Sequence, residues 1–195
     1  MILPIVHYGH PVLRQKGAEI RSISKSIQKL AKDMIETMHA ANGVGLAAQQ
    51  VGQALQLTVL DVTGTDRPSQ LFLGVREITL SSMMPLVLIN PQMTRKEGEE
   101  IGSEGCLSFP GIGGDILRAG TVHISAIGLD GNPLQFTATG LLSRAIQHEL
   151  DHLNGILFID RMATELRKTL DPEIKSIKKA TISMLKKKGV LKKNS

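Results

Sequence analysis

His148-Glu149-Leu150-Asp151-His152 sets two imidazoles four residues apart with a carboxylate beside the first. On a helix, residues i and i+4 lie one above the other, so both rings can reach a single divalent ion. Glu149 is the residue type that moves a proton to and from a water near such an ion. A catalytic site of this kind takes three protein ligands and leaves one position for water, so the third ligand decides the chemistry. A third histidine six residues beyond His152 would complete one known pattern, but Phe158 stands there. Glu173 is a second candidate, although its place in the first turn of a lysine-rich helix explains it equally well. Cys106, the single cysteine, is the other: a thiolate binds Zn or Fe(II) strongly, while a lone buried thiol is commonly inert. On residue types alone both remain open.

Elements must hold these groups in place. Leu141, Leu142, Ala145, Ile146, Leu150 and Leu153 form an apolar stripe, so the histidines belong to a helix from about Leu141 to Asn154, stopped at Gly155. An earlier helix follows Ser24, with Ile27, Leu30, Ala31, Met34, Ile35 and Met38 on one face, and ends near Asn42-Gly43. Between them the chain reads as strands: Leu55 to Val62, Leu86 to Asn90, and a hairpin from Thr121 to Thr139 turning at Asp130-Gly131-Asn132. Thr63 to Ser69 and Pro110 to Asp115 read as loops. Asp171-Pro172-Glu173 is a strong start signal for a last, amphipathic helix carrying Ile174, Ile177, Thr181, Met184 and Leu185. The expected class is α+β, with mixed or antiparallel strands around the central histidine helix, an N-terminal helix and a basic C-terminal one.

The chain has 195 residues and a net charge of +5, which fits one domain with a short appendage. The charge is uneven. Residues 167–195 carry +8 and the rest −3, so basicity belongs to the tail, which is either a solvated docked helix or a contact for polyanionic nucleic acid. No apolar run approaches the roughly 20 residues of a membrane span, and no basic leader opens the sequence. With a single cysteine no intrachain disulfide forms, which suits the cytoplasm. Four Phe, one Tyr and no Trp provide few platforms for stacking bases. An RNA-binding module with a structural metal remains the reading from another functional class, motivated by the +8 tail.

Three segments together resemble peptide deformylase: Gly43-Val44-Gly45-Leu46-Ala47-Ala48-Gln49-Gln50; Glu104-Gly105-Cys106-Leu107-Ser108; and His148 to His152, with Gln147 before it and Leu153-Asn154-Gly155 after it. They match without substitution, in the family's order, over residues 5 to 165 or so. The resemblance implies hydrolysis of the formyl group from the N-formyl-methionyl end of nascent polypeptides. It implies Cys106, His148 and His152 as ligands of one metal ion, Fe(II) in the cell and replaceable by Zn or Ni. It further implies a cytoplasmic enzyme, with the ribosome as a partner through the basic C-terminal helix, and neither membrane nor DNA. Residues 1–165 would form the catalytic domain and 166–195 an appended helix and tail.

Each motif also has its own physics. Glu149 would carry the proton, while the Gln50 amide, which cannot be protonated at neutral pH, and the Leu107 N–H would donate to a developing oxyanion. Gly45, beside Val44, would let an extended peptide approach, and Gly105 would leave room beside the metal. Val44, Leu141 and Ala145 should line the pocket for the Met side chain, with Arg144 meeting the peptide. Glu104 is expected to pair with Arg118. The segment from Asp66 to Met84 lies outside the motifs and reads as an insertion.

Overall fold

The computed structural model describes residues 1–190. Its helices begin and end where local chemistry directs them. Ser24 Oγ accepts from the Ile27 N–H at the start of α1 (Lys25–Ala40). At the other end Asn42 adopts φ +53°, and the Gly43 N–H returns to Met38 O at 2.9 Å. The strands that follow are β1 (Gly45–Ala47), β2 (Leu57–Leu60), β3 (Ser69–Leu73), β4 (Arg76–Ile78) and β5 (Leu86–Glu97). After them come β6 (Glu100–Gly105), β7 (Gly113–Arg118), β8 (Thr121–Ile127) and β9 (Pro133–Thr139). Seven form one sheet in the order β1-β2-β5-β8-β9-β3-β4, and β6 and β7 make a separate hairpin. Every strand pair is antiparallel.

Helix α2 (Gly140–Leu153) lies at the centre, with every residue from Leu141 to Leu153 buried. Its apolar side packs with Leu60, Leu71, Leu88, Val122 and Phe136 of the sheet. A second cluster joins Val12 and Leu13 to Phe109, Ile112, Phe158 and Ile174, and a third seats α1 on β1, β2 and β5. The C-terminal helix α3 (Thr164–Lys187) buries Ile174, Thr181 and Leu185. None of the helices among the described residues is long and apolar enough to cross a membrane.

Four expectations need correction. The strand starting at Leu86 continues to Glu97, and Pro110 to Asp115 includes the start of β7, whose Gly113 pairs with Gly105. The segment from Asp66 to Met84 holds β3 and β4, the edge of the main sheet, with Gln70 paired to Thr139. It also caps α2: Thr139 makes no side-chain cap, while Ser69 Oγ and Pro68 O accept from the Leu142 and Leu141 N–H groups. Finally, α3 starts at Thr164 and passes through Pro172. Leu166 and Leu170 pack on the second cluster, so burial extends the helix upstream of its local start signal. Lys192 and Lys193 of the basic tail lie outside the described residues.

Because α2 is buried on all sides, its charged groups need partners. Arg118 of β7 donates to Glu104 of β6 through Nε (2.9 Å) and Nη2 (3.0 Å), and through Nη1 to Asp151 of α2. Asp151 also accepts from Arg161 (2.7 Å), and Arg144 donates to Glu104 at 3.0 Å. The expected Glu104 to Arg118 pair is thus a buried one. Burial alone would raise the Glu104 pKa, but hydrogen bonds from His148 and Arg118 outweigh it and hold the carboxyl at about 2.

Two outcomes follow. Arg118→Met, which takes one guanidinium from two buried carboxylates and leaves them to Arg144, His148 and Arg161, should lose about 3 kcal/mol in urea unfolding. Since the folded pKa of Glu104 lies below its ordinary value of 4.5, its contribution is complete above that pH and disappears as pH falls towards 2. Unfolding free energies measured down that range should show a loss of about 3 kcal/mol in the native sequence that Glu104→Gln lacks.

Candidate metal centre and active site

One helical turn separates His148 from His152, whose ring centroids are 5.0 Å apart. Cys106 reaches them from the end of β6. A turn closed by the Phe109 N–H on Cys106 O (2.8 Å) directs its sulfur inward, 3.3 Å from His152 Nε2. The ligand atoms of Cys106, His148 and His152 all lie within 4.8 Å of one another. With metal–sulfur bonds of about 2.3 Å and metal–nitrogen bonds of about 2.0 Å, ligand atoms around one ion sit some 3 to 4 Å apart, so only small adjustments are needed. The donor set, one thiol and two imidazoles, fits a divalent transition metal. Glu173, the alternative ligand, is exposed on α3 and outside this group.

Surrounding groups orient the ligands. His148 Nδ1 donates to Glu104 Oε2 at 2.9 Å, which turns Nε2 towards Cys106. Burial disfavours a charged His148, but its bonds to Cys106 and Glu104 prevail and raise its pKa well above the ordinary value. Burial, together with the nearby positive charges of His148 and Arg118, lowers that of His152. Glu149 is pushed up to about 7, chiefly by burial. Its Oε2 is buried without a hydrogen-bond partner, as is His152 Nδ1. A carboxylate oxygen in that state is ready for a water or a substrate proton.

Gly45 lines the cavity and has a further task inside the fold. A Cβ there would lie 2.4 Å from Glu149 Oε1, so this glycine makes space for the buried carboxylate. Gln50 is fixed by its own amide: Oε1 accepts from the Ala47 N–H (2.9 Å), leaving Nε2 to face Cys106 Sγ at 3.6 Å and Ser108 Oγ at 3.5 Å. Leu107 is half-buried, and its Cδ1 occupies the space left by the missing side chain of Gly43.

A cavity of about 530 Å³ opens over these groups and is lined by Val44, Gly45, Gln50, Gly105, Cys106, Leu107, Leu141, Arg144, Ala145, His148 and Glu149. His152 lies behind it, 1% exposed. One expectation changes. Arg144 is buried, and its guanidinium is consumed by Glu104 and the carbonyls of Glu100, Gly102 and Ile116, so it ties α2 to the hairpin where a peptide contact was expected. Gly105 is exposed on the cavity wall, and among protein atoms a Cβ on it would meet only Ile112 O at 3.9 Å. The cavity also draws in Asn42, Arg67, Ser103 and Ile112, which no motif singled out. A second, larger hollow of about 1070 Å³ is lined by Asp151 with its partners Arg118 and Arg161, and by none of Cys106, His148 and His152.

Comparison with known proteins agrees with this geometry. Residues 2–168 match the sequence profile of the family described as polypeptide deformylase. The peptide deformylase of Methylacidiphilum infernorum is 47% identical over 92% of this chain and 94% of its own, and that of Opitutus terrae 43% identical over 93% and 95%. The crystal structure of peptide deformylase from Thermus thermophilus superposes with a TM-score of 0.78 at 34% identity, covering 92% of this chain and 99% of that one. A plant peptide deformylase gives 0.79 at 32% identity, covering 97% and 94%. With the family profile spanning most of its length and relatives above 40% identity, this chain belongs to the polypeptide deformylase family.

Proposed function

We propose that this deformylase removes the formyl group from the N-formyl-methionyl end of newly made polypeptides with Cys106, His148 and His152 holding one divalent ion. The observation that carries the reading is the convergence of those three ligand atoms beside a buried, unpartnered Glu149 oxygen. When bound, such an ion supplies Lewis acidity that makes water nucleophilic near neutral pH. Fe(II) is the ion proposed for the cell, with Zn or Ni as substitutes, since a thiolate with two imidazoles accommodates all three.

The remaining steps belong to side chains. Glu149, with its pKa at about 7, accepts a proton from the attacking water and returns it to the departing amine. Gln50 Nε2 donates to the formyl oxygen as charge develops there, and because Oε1 is committed to Ala47 the amide has no need to reorient. The Leu107 N–H is the second donor. Val44, Leu141 and Ala145 offer an apolar wall for the Met side chain. Among the described residues β1 pairs with no strand but β2 and β6 with none but β7, so each offers an open edge, near Gly45 and Gly105, to an extended peptide. Formate and a free amino terminus are released.

The division into a catalytic unit, 1–165, and an appended helix and tail, 166–195, is also proposed, supported by the end of the family match at residue 168. Lys168, Lys175, Lys178, Lys179, Lys187 and Lys188 are exposed on or just beyond α3 and would suit the phosphate backbone of ribosomal RNA in the cytoplasm. Removing 172–195 would strip Ile174 and Leu185 from their packing, so the ribosome contact is better tested by neutralising charge.

Chelation should abolish formate release, and Fe(II) should restore it. Cys106→Ala should lose bound metal by elemental analysis. Glu149→Ala should keep metal and lose about 10² to 10⁴ in kcat; unimpaired turnover would remove Glu149 from the assigned role. Replacing Lys179, Lys187 and Lys188 by Gln should weaken cosedimentation with ribosomes at low salt while hydrolysis of a short formyl-Met peptide stays within about twofold.

A further inference from the structure

One charged side chain on the cavity wall has no part in the machinery above. Arg67 is exposed, precedes β3, and lines the cavity that contains Gln50, Cys106 and Glu149. The other arginine on that wall, Arg144, is consumed by Glu104 and backbone carbonyls. Arg67 makes one long hydrogen bond, Nη1 to Ser103 O at 3.4 Å, and among the described residues no carboxylate stands within ion-pairing distance of it.

Its backbone is anchored while its side chain is not. The next two residues grip the first turn of α2: Pro68 O accepts from the Leu141 N–H at 3.0 Å, and Ser69 Oγ from the Leu142 N–H at 3.1 Å. A Cβ on Gly140 would lie 2.2 Å from Pro68 O, so the approach is as close as a glycine permits. Arg67 is therefore held at a fixed place relative to the helix that carries His148 and His152.

Position selects what it can touch. Ser103 on β6 precedes Cys106, just past the strand's end, by three residues, or about 10 Å at about 3.3 Å per residue. An extended peptide with its formyl carbon at the Cys106 sulfur, running along the open edge of β6, reaches that distance at its third residue. Releasing the single long bond to Ser103 O costs little, and a carboxylate would satisfy a guanidinium that now has no anionic partner.

Resting on the deformylase reading, we propose that Arg67 is a specificity residue that favours a carboxylate at the third residue of the formyl-methionyl substrate. The carboxylate is either an Asp or Glu side chain or, in a tripeptide, the chain terminus.

The test uses the metal-loaded enzyme with four peptides: formyl-Met-Ala-Glu-amide, formyl-Met-Ala-Gln-amide, formyl-Met-Ala-Lys-amide, and formyl-Met-Ala-Gln with a free carboxylate. At low salt the Glu amide should exceed the Gln amide by about twofold to fivefold in kcat/KM, mainly through KM, as an exposed ion pair allows. The advantage should shrink in about 0.5 M NaCl. Arg67→Gln should bring the ratio to one, and Arg67→Glu should invert it in favour of the Lys amide. A gain confined to the free-acid peptide, and lost in Arg67→Gln, also supports the proposal and identifies the terminal carboxylate as the group bound. Neither carboxylate preferred by the native enzyme, or a preference unchanged in Arg67→Gln, overturns it. Absence of formate release from every peptide is a separate failure, that of the deformylase reading itself.

Discussion

The carboxylate of Glu104 is the point on which the site depends. It lies buried between two arginines and a histidine, accepting from Arg118, Arg144 and His148. The partners come from two elements, Arg118 from β7 and both Arg144 and His148 from α2, while Glu104 itself lies on β6, two residues before Cys106. A buried charge left alone would cost several kcal/mol, so the hairpin can approach the helix only in the arrangement that satisfies all three donors. That arrangement delivers the Cys106 sulfur to the histidines. The interaction does not supply reactive groups; it sets the distance between the two pieces of chain that do.

The same constraint explains why a buried helix is so polar. Gln147 accepts from the Ala119 N–H and donates to the Ala119 carbonyl, Asp151 takes two arginines, and Arg144 satisfies three carbonyls of the hairpin. Against that near-complete pairing, the unpartnered atoms stand out. Glu149 Oε2 and His152 Nδ1 are buried at the metal group, and Gln49 Oε1 is the third such side-chain atom among the described residues. A fold that pairs its buried polar groups so thoroughly leaves the Glu149 oxygen without a protein partner beside the Cys106, His148 and His152 group, at a cost in stability that the surrounding ion pairs help to offset.

Much of this was legible in the sequence because it is local. The His148 to His152 spacing, the Ser24 cap, the Gly155 stop and the Asp130-Gly131-Asn132 turn each state their geometry within a few residues, and the three motifs identified the family. What was not legible depends on partners far along the chain. Arg144 looked free to meet a peptide because nothing nearby in sequence shows Glu104, forty residues away, waiting for it. Pro172 read as a helix start because its local signal is strong, but the packing of Leu166 and Leu170 outweighs it. Arg67 carries no such signal, since its position follows from how β3 pairs with β9 and holds the start of α2.

Glycines show the same limit from the other side. Gly45 and Gly102 each leave space for one side chain, Glu149 and Arg144 respectively, and in both cases an added Cβ would collide at under 3 Å. Sequence reveals that something must come close, without revealing what. Gly45 lines the cavity where a substrate backbone is expected, and the group its missing side chain makes room for is the Glu149 carboxylate. The distinction has a physical consequence. A glycine kept for a substrate could be exchanged at the expense of affinity, whereas one kept for Glu149 ties the backbone of β1 to the ionisation of the group across from it. Any side chain at 45 would push Glu149 out of the environment that raises its pKa, so the first motif and the histidine helix act as a single unit although a hundred residues separate them.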